Sequence, residues 1–221
     1  MIAIGQRIMI PSLFITKKEE LNSINLDCAK YNRIQIDICD YNWTTNTVNL
    51  AEIEKTEFAD TLIMNKVKID WHLMSADYLE HIEKIANSNL AILTNTLILQ
   101  IDERAIEPNN SIKIFNNLRK IYPELGLGFS FNPGIATSTL VSCCQLKPSY
   151  IQLMGYGAGI RGQNVKHKAL SNTFFDVKSF LRHNKFDVEL SIEGGVDKKL
   201  ILEYLEKDRE KLITSFGINI K

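Results

Sequence analysis

Apolar and polar residues alternate along Ile34–Ile38: Ile34, Ile36 and Ile38 hold one set of positions, Gln35 and Asp37 the other. A period of two is the signature of a β-strand with one face against a packed layer. Further strands are predicted at Arg7–Leu13, Lys66–Met74, Thr96–Ile101, Leu125–Phe131, Tyr150–Met154, Asp187–Ile192 and Leu212–Ser215. Apolar residues interleaved with charge predict helices at Lys17–Lys30, Ala76–Asn87, Ser111–Tyr122, Ala136–Gln145, His167–His183 and Lys198–Lys207. Phe58–Met64 reads equally as a short helix or a loop. Strands alternating with helices of this length imply parallel βαβ units, and eight such strands imply an α/β fold, a closed (β/α)8 TIM barrel. No linker, repeat or low-complexity tract interrupts the pattern, so residues 1–221 are expected to form one domain. The last predicted strand leaves the eighth helix short or absent. A second subunit, or the segment ahead of the first strand, is expected to cover that flank, which predicts a homo-oligomer.

Composition narrows the partners. Lys+Arg and Asp+Glu are equal at 26 each, which argues against nucleic acid or an anionic membrane as the main partner. No apolar run is long enough to span a bilayer, and Arg7 breaks the short N-terminal apolar stretch, so a cytoplasmic protein is expected. The four cysteines lack zinc-finger or CxxC spacing. Adjacent Cys143 and Cys144 are expected as buried thiols on a helix, and Cys39 as a small apolar filler.

The chemistry collects where the strands end. Asp37 lies mid-strand, and Asp40 follows where the strand should stop. A buried carboxylate is costly unless it is paired, hydrogen-bonded or metal-bound; an edge strand turning it to water is the plain alternative. The polar residues at predicted strand ends are Ser12, Gln35, Asp37, Asp40, His72, Asn132, Gln163 and Glu193, and a closed barrel gathers such ends at one mouth. Asp37 and Glu193, from opposite sides of the barrel, could take a proton from one face of a carbon and return it to the other. His72 reads evenly as ligand or as structure. Met154–Gln163 and Glu193-Gly194-Gly195 are glycine-rich, as is the end of the last strand at Gly217. Such loops suit an anion held by backbone N–H groups, or simply tight turns.

Taken together, these residues resemble the ribulose-phosphate 3-epimerases over nearly the whole chain. Ile10-Pro11-Ser12-Leu13 stands at that family's opening strand. Gln35–Asn46 matches HIDxMDGxFVPN at Ile36, Asp37, Asp40 and Asn46, and Asp70–Met74 matches DVHLM. Asn132-Pro133-Gly134 matches its NPGT-like turn. Met154, Gly159, Gly162 and Gln163 match MxVNPGFGGQ in register, and Ile192–Gly195 matches VDGG.

The resemblance implies the ribulose-phosphate-binding type of barrel. It also implies epimerisation at C3 of a pentulose or related ketose phosphate, through an enediolate stabilised by a divalent ion (Zn, Fe, Mn or Co). Asp37 and Glu193 would be the acid/base pair, and Gln35, Asp37, His72 and Glu193 the metal ligands. Ser12, Met74 and Met154 would line the sugar, with Gly159, Arg161, Gly162, Gly194, Gly195 and Gly217 around the phosphate. The sequence departs from the family at the ligand histidine (Gln35), the second aspartate (Glu193), Cys39, Tyr41 and Arg161. A non-catalytic barrel that binds a phosphorylated ligand or a partner protein is the alternative. A Schiff-base aldolase finds no lysine at a clear inward strand end.

Overall fold

The computed structural model describes residues 3–4, 7–24, 26–40, 43–44, 48–102, 108–160 and 162–219. Tyr41, Asn46 and Arg161 lie outside the described residues. In chain order the strands are β1 (Ala3–Ile4), β2 (Arg7–Leu13), β3 (Arg33–Cys39), β4 (Lys68–Met74), β5 (Thr94–Ile101), β6 (Gly126–Phe131), β7 (Tyr150–Met154), β8 (Glu189–Glu193) and β9 (Ile213–Asn219). The helices are α1 (Lys18–Leu21), α2 (Leu50–Ile53), α3 (Glu57–Met64), α4 (Tyr78–Ala86), α5 (Pro108–Ile121), α6 (Thr137–Cys144), α7 (His167–Asn184) and α8 (Lys198–Lys207). Strands β2 to β9 pair in parallel in sequence order, and β9 returns to β2 with Ile8 opposite Ser215 and Ser12 opposite Asn219. The sheet is thereby closed into the eight-stranded barrel that the alternation predicts. Strand β1 adds an antiparallel pair to β2, Ala3 opposite Ile8.

The period of two sorts each strand into two environments. Ile34, Ile36 and Ile38 of β3, with Trp71, Leu99, Phe129, Leu153 and Ile192 on other strands, are at most 3% exposed and belong to one continuous apolar cluster with the helices. The alternate positions turn into the barrel, and that interior is largely polar. Gln35, Asp37, His72, Gln100, Ser130, Gln152, Ser191 and Glu193 are all buried there. The hydrophobic core of the protein is therefore the sleeve between strands and helices. Strand β3 is not an edge: β2 and β4 flank it, which disposes of the solvent-facing reading of Asp37.

Two ion-pair groups tie the barrel together away from its mouth. Arg7 on β2 donates to Asp208 Oδ2 and to the Ile213 carbonyl, each at 3.1 Å, across the seam where β9 meets β2. Arg33 donates to Asp70 at 2.5 Å and with one nitrogen to both Glu189 oxygens, at 2.9 and 2.7 Å. Asn95 and Ser215 complete the shell of those carboxylates.

Local chemistry explains where the elements begin. Thr56, Asp77 and Asp197 each accept an N–H from the first turn of α3, α4 and α8. Phe58–Met64 is thus helical. The helix expected over Lys17–Lys30 is only α1, four residues long. Beyond Leu21 the local hydrogen-bonders take over: Ser23 Oγ donates to the Glu20 carbonyl and Asp27 accepts from Ala29 N–H, closing turns in place of further helix. Strand β4 starts at Lys68 because Lys66 is left-handed, at φ 54°, where α3 stops. The last strand runs on past Ser215 to Asn219. Cys143 and Cys144 are buried free thiols on α6, each pushed up to about 12 chiefly by burial. No helix among the described residues is long and apolar enough to cross a membrane.

Candidate active site

Strand β3 sends Gln35 and Asp37 into the barrel on successive inward positions, and the β3–β4 register sets Asp37 beside His72. Gln35 Nε2 donates to Asp37 Oδ1 at 2.9 Å, and His72 Nδ1 lies 3.1 Å from the same oxygen. On its far side His72 Nε2 is 2.9 Å from Gln100 Oε1. A carbonyl oxygen only accepts, so Nε2 carries a proton. Nδ1 faces Asp37 Oδ1 and, at 3.5 Å, the Gln152 amide nitrogen. Burial by itself pushes that histidine down, but Asp37, Glu193 and Gln100 together hold it above its ordinary range. The result is a buried chain from Gln35 through Asp37 and His72 to Gln100.

Glu193 ends β8 and is 4% exposed. Its Oε1 accepts from Ser12 Oγ at 3.1 Å, while Oε2 is buried with no hydrogen-bond partner among the described residues. Burial first, and then the charge of Asp37, push its carboxyl up to about 7, against the pull of His72, Ser12 and the Gly194 N–H. Two carboxyl groups that repel each other's charge, one of them poised near neutrality, are what a proton relay across a carbon requires.

Asp37 and Glu193 share a small cavity with Phe14, Met74, Met154, Tyr156, Gly159 and Ile160. Its volume is about 20 Å³, room for one water-sized group, whereas ligand pockets typically run to about 300 Å³ or more. An apolar cluster of Cys39, Trp43, Met74, Met154 and Ala158, with Phe14 against it, shares Phe14, Met74 and Met154 with that lining. Entry of a sugar phosphate therefore requires Phe14, Tyr156 or Ile160 to move aside. Ile160, 39% exposed, is the outermost of the three.

The chain matches the ribulose-phosphate 3-epimerase family over residues 7–218, nearly its full length. The chain belongs to that family. A comparison with curated proteins finds no match.

Set against the epimerase pattern, Ser12, Gln35, Asp37, His72 and Glu193 converge. Three other strand-end residues do not. Asp40 accepts from Ser75 Oγ at 2.5 Å and from Ala76 N–H at 2.8 Å, and meets His81 at 2.7 Å, outside the barrel. Asn132 donates to Asp102 and accepts the Ala158 N–H at 2.9 Å, so it braces the loop after β7. Gln163 is exposed. Of the glycines expected around phosphate, most meet protein atoms. A Cβ on Gly159 would lie 3.0 Å from that of Trp43, and one on Gly195 3.1 Å from the Tyr156 ring. Gly162 has open space around it among the described residues, and Gly217 lies beneath Glu193. Gly194 and Gly195 have φ of 85° and 73°, a turn that favours glycine with or without an anion.

Epimerases of this family are generally divalent-metal dependent. An ion needs lone pairs converging on one point. Here Asp37 Oδ1 already faces Gln35 Nε2 and His72 Nδ1, Gln35 turns its NH2 to Asp37, and both His72 nitrogens are engaged. Among the described residues no group of three or more His, Cys, Asp or Glu is placed to hold an ion. Gln35, Asp37 and His72 are hydrogen-bonded to one another and Glu193 turns one oxygen to Ser12, so the four expected ligands, as arranged, do not fit a divalent metal.

The site also uses residues that the sequence did not single out. Gln100 and Gln152 are inward polar positions on apolar strands, and Gln152 Nε2 reaches Ser130 and Met154. The same alternation that placed Asp37 inward was a usable signal for both. Phe14, Trp43 and Tyr156 pack around the cavity from loops, where periodicity says nothing.

Proposed function

We propose that this protein epimerises a ketose phosphate at the carbon next to its carbonyl, C3 of a pentulose, by two-carboxylate proton transfer. Asp37 accepts the proton on one face and Glu193 delivers one to the other, with the roles exchanged in the reverse direction. The observation that carries the reading is the buried pair Asp37 and Glu193 on one cavity, with Glu193 pushed up to about 7. His72, buried beside Asp37 and held above its ordinary range, offsets in its protonated form the negative charge that develops on the substrate oxygens.

The small cavity and the packed glycine loops favour a second reading, a barrel that binds without catalysis. One experiment separates the two. Deuterium wash-in on ribulose 5-phosphate and neighbouring ketose phosphates is followed in D2O by mass spectrometry, with chelator and with added divalent ions. Exchange of one carbon-bound proton is expected, unaffected by chelator. It falls by about 10²–10⁴-fold in Asp37→Asn and in Glu193→Gln. No exchange with any of these sugars from folded protein establishes the binding reading, and exchange that appears only with added ion returns the metal to the mechanism.

A further inference from the structure

Glu193 starts on β8, yet its hydrogen-bond partner Ser12 is on β2, and β9 runs between those two strands. To reach Ser12 the side chain passes over β9 at Gly217. A Cβ at residue 217 would overlap Glu193 Cγ outright and come within 3.0 Å of its Cβ. Gly217 is not among the positive-φ residues, so backbone conformation does not demand a glycine there. It is also absent from the lining of the cavity, under the side chain that does line it. The need for glycine at 217 is spatial.

We propose that Gly217 is a positioning residue, the saddle over which Glu193 crosses β9 to dock on Ser12 and face Asp37. This rests on the catalytic reading of Glu193 for its consequence, although the steric coupling stands apart from it. Any side chain at 217 turns Glu193 off Ser12 and away from the reacting carbon.

The test is a pair of cycles. In the unsubstituted background Gly217→Ala is expected to lower Tm by roughly 3–8 °C through overpacking. In Glu193→Ala most of that loss disappears, because the overlapping Cγ is gone. An equal Tm loss in both backgrounds overturns the proposal, since the methyl would then be acting on β9 alone. In turnover, Gly217→Ala is expected to lower kcat by about 10²-fold with KM little changed. The same substitution in Ser12→Ala costs several-fold less, because the docked position is already lost. Additive effects of the two would also overturn it. If the unsubstituted protein shows no exchange at all, the catalytic reading fails and the stability cycle alone decides the saddle.

Discussion

A glutamic acid that titrates near neutrality has a thermodynamic signature. In the folded protein the Glu193 carboxyl is up near 7, through burial and then Asp37, against an ordinary value of 4.5. Between those values the folded state holds more protons than the unfolded one, so stability falls as pH rises through that window. Above it the deficit is on the order of 3 kcal/mol. Glu193→Gln is therefore expected to melt higher than the parent at pH 8 and at nearly the same temperature at pH 4, by calorimetry at both; a difference independent of pH would contradict this. At this scale Asp37, His72 and Glu193 were legible because charged or ionisable residues inside strands are conspicuous. Their partners were less so. Gln100 and Gln152 carry no charge to draw attention, and the short reach of Gln35 to Asp37 depends on which end of an amide faces inward.

Two loops illustrate what elements add. After β7 and β8 the glycine-rich stretches pack on each other: Gly155 N–H donates to the Glu193 carbonyl at 2.6 Å, and a Cβ on Gly155 would overlap the Gly194 carbonyl oxygen. That oxygen belongs to backbone and cannot swing away, unlike a side-chain tip. Gly155→Ala is expected to separate the loops, lowering Tm by roughly 3–10 °C and increasing amide exchange at Gly194 and Gly195. Unchanged protection at those two amides would sink the idea that the loops brace each other. From sequence the same glycines read as a phosphate cradle or as turns. The difference lies in contacts between segments about forty residues apart, which local pattern does not encode. The helix overextended across Lys17–Lys30 has the opposite cause. Its apolar spacing was suggestive, but Ser23 and Asp27 offered the backbone nearer partners.

Over the whole molecule the closed barrel was the most legible feature, because eight period-two strands separated by helices leave few other topologies. What it could not announce was the charge at the end of the barrel away from the site. Arg33, Asp70 and Glu189 come from three strands and meet in the interior. Burial drives Asp70 upward while Arg33 and Asn95 pull it back. Arg33→Met would leave both carboxylates inside the barrel without their cation, at a cost of about 3–5 kcal/mol. The expected result is a Tm lower by roughly 6–15 °C, read by calorimetry. A change within two degrees, on the order of the error of such an assignment, would show that the trio is not holding the barrel.

The polar interior has a further consequence. Because the apolar sleeve outside the strands supplies the packing, neighbouring residues on one strand answer to different demands: Ile36 to cohesion, Gln35 and Asp37 to chemistry. Changes such as a longer acid at 193 or an amide at 35 are drawn from positions on which the sleeve does not depend. Such a barrel is free to explore new reactions by rewriting every second letter of its strands, and its shape survives the experiment.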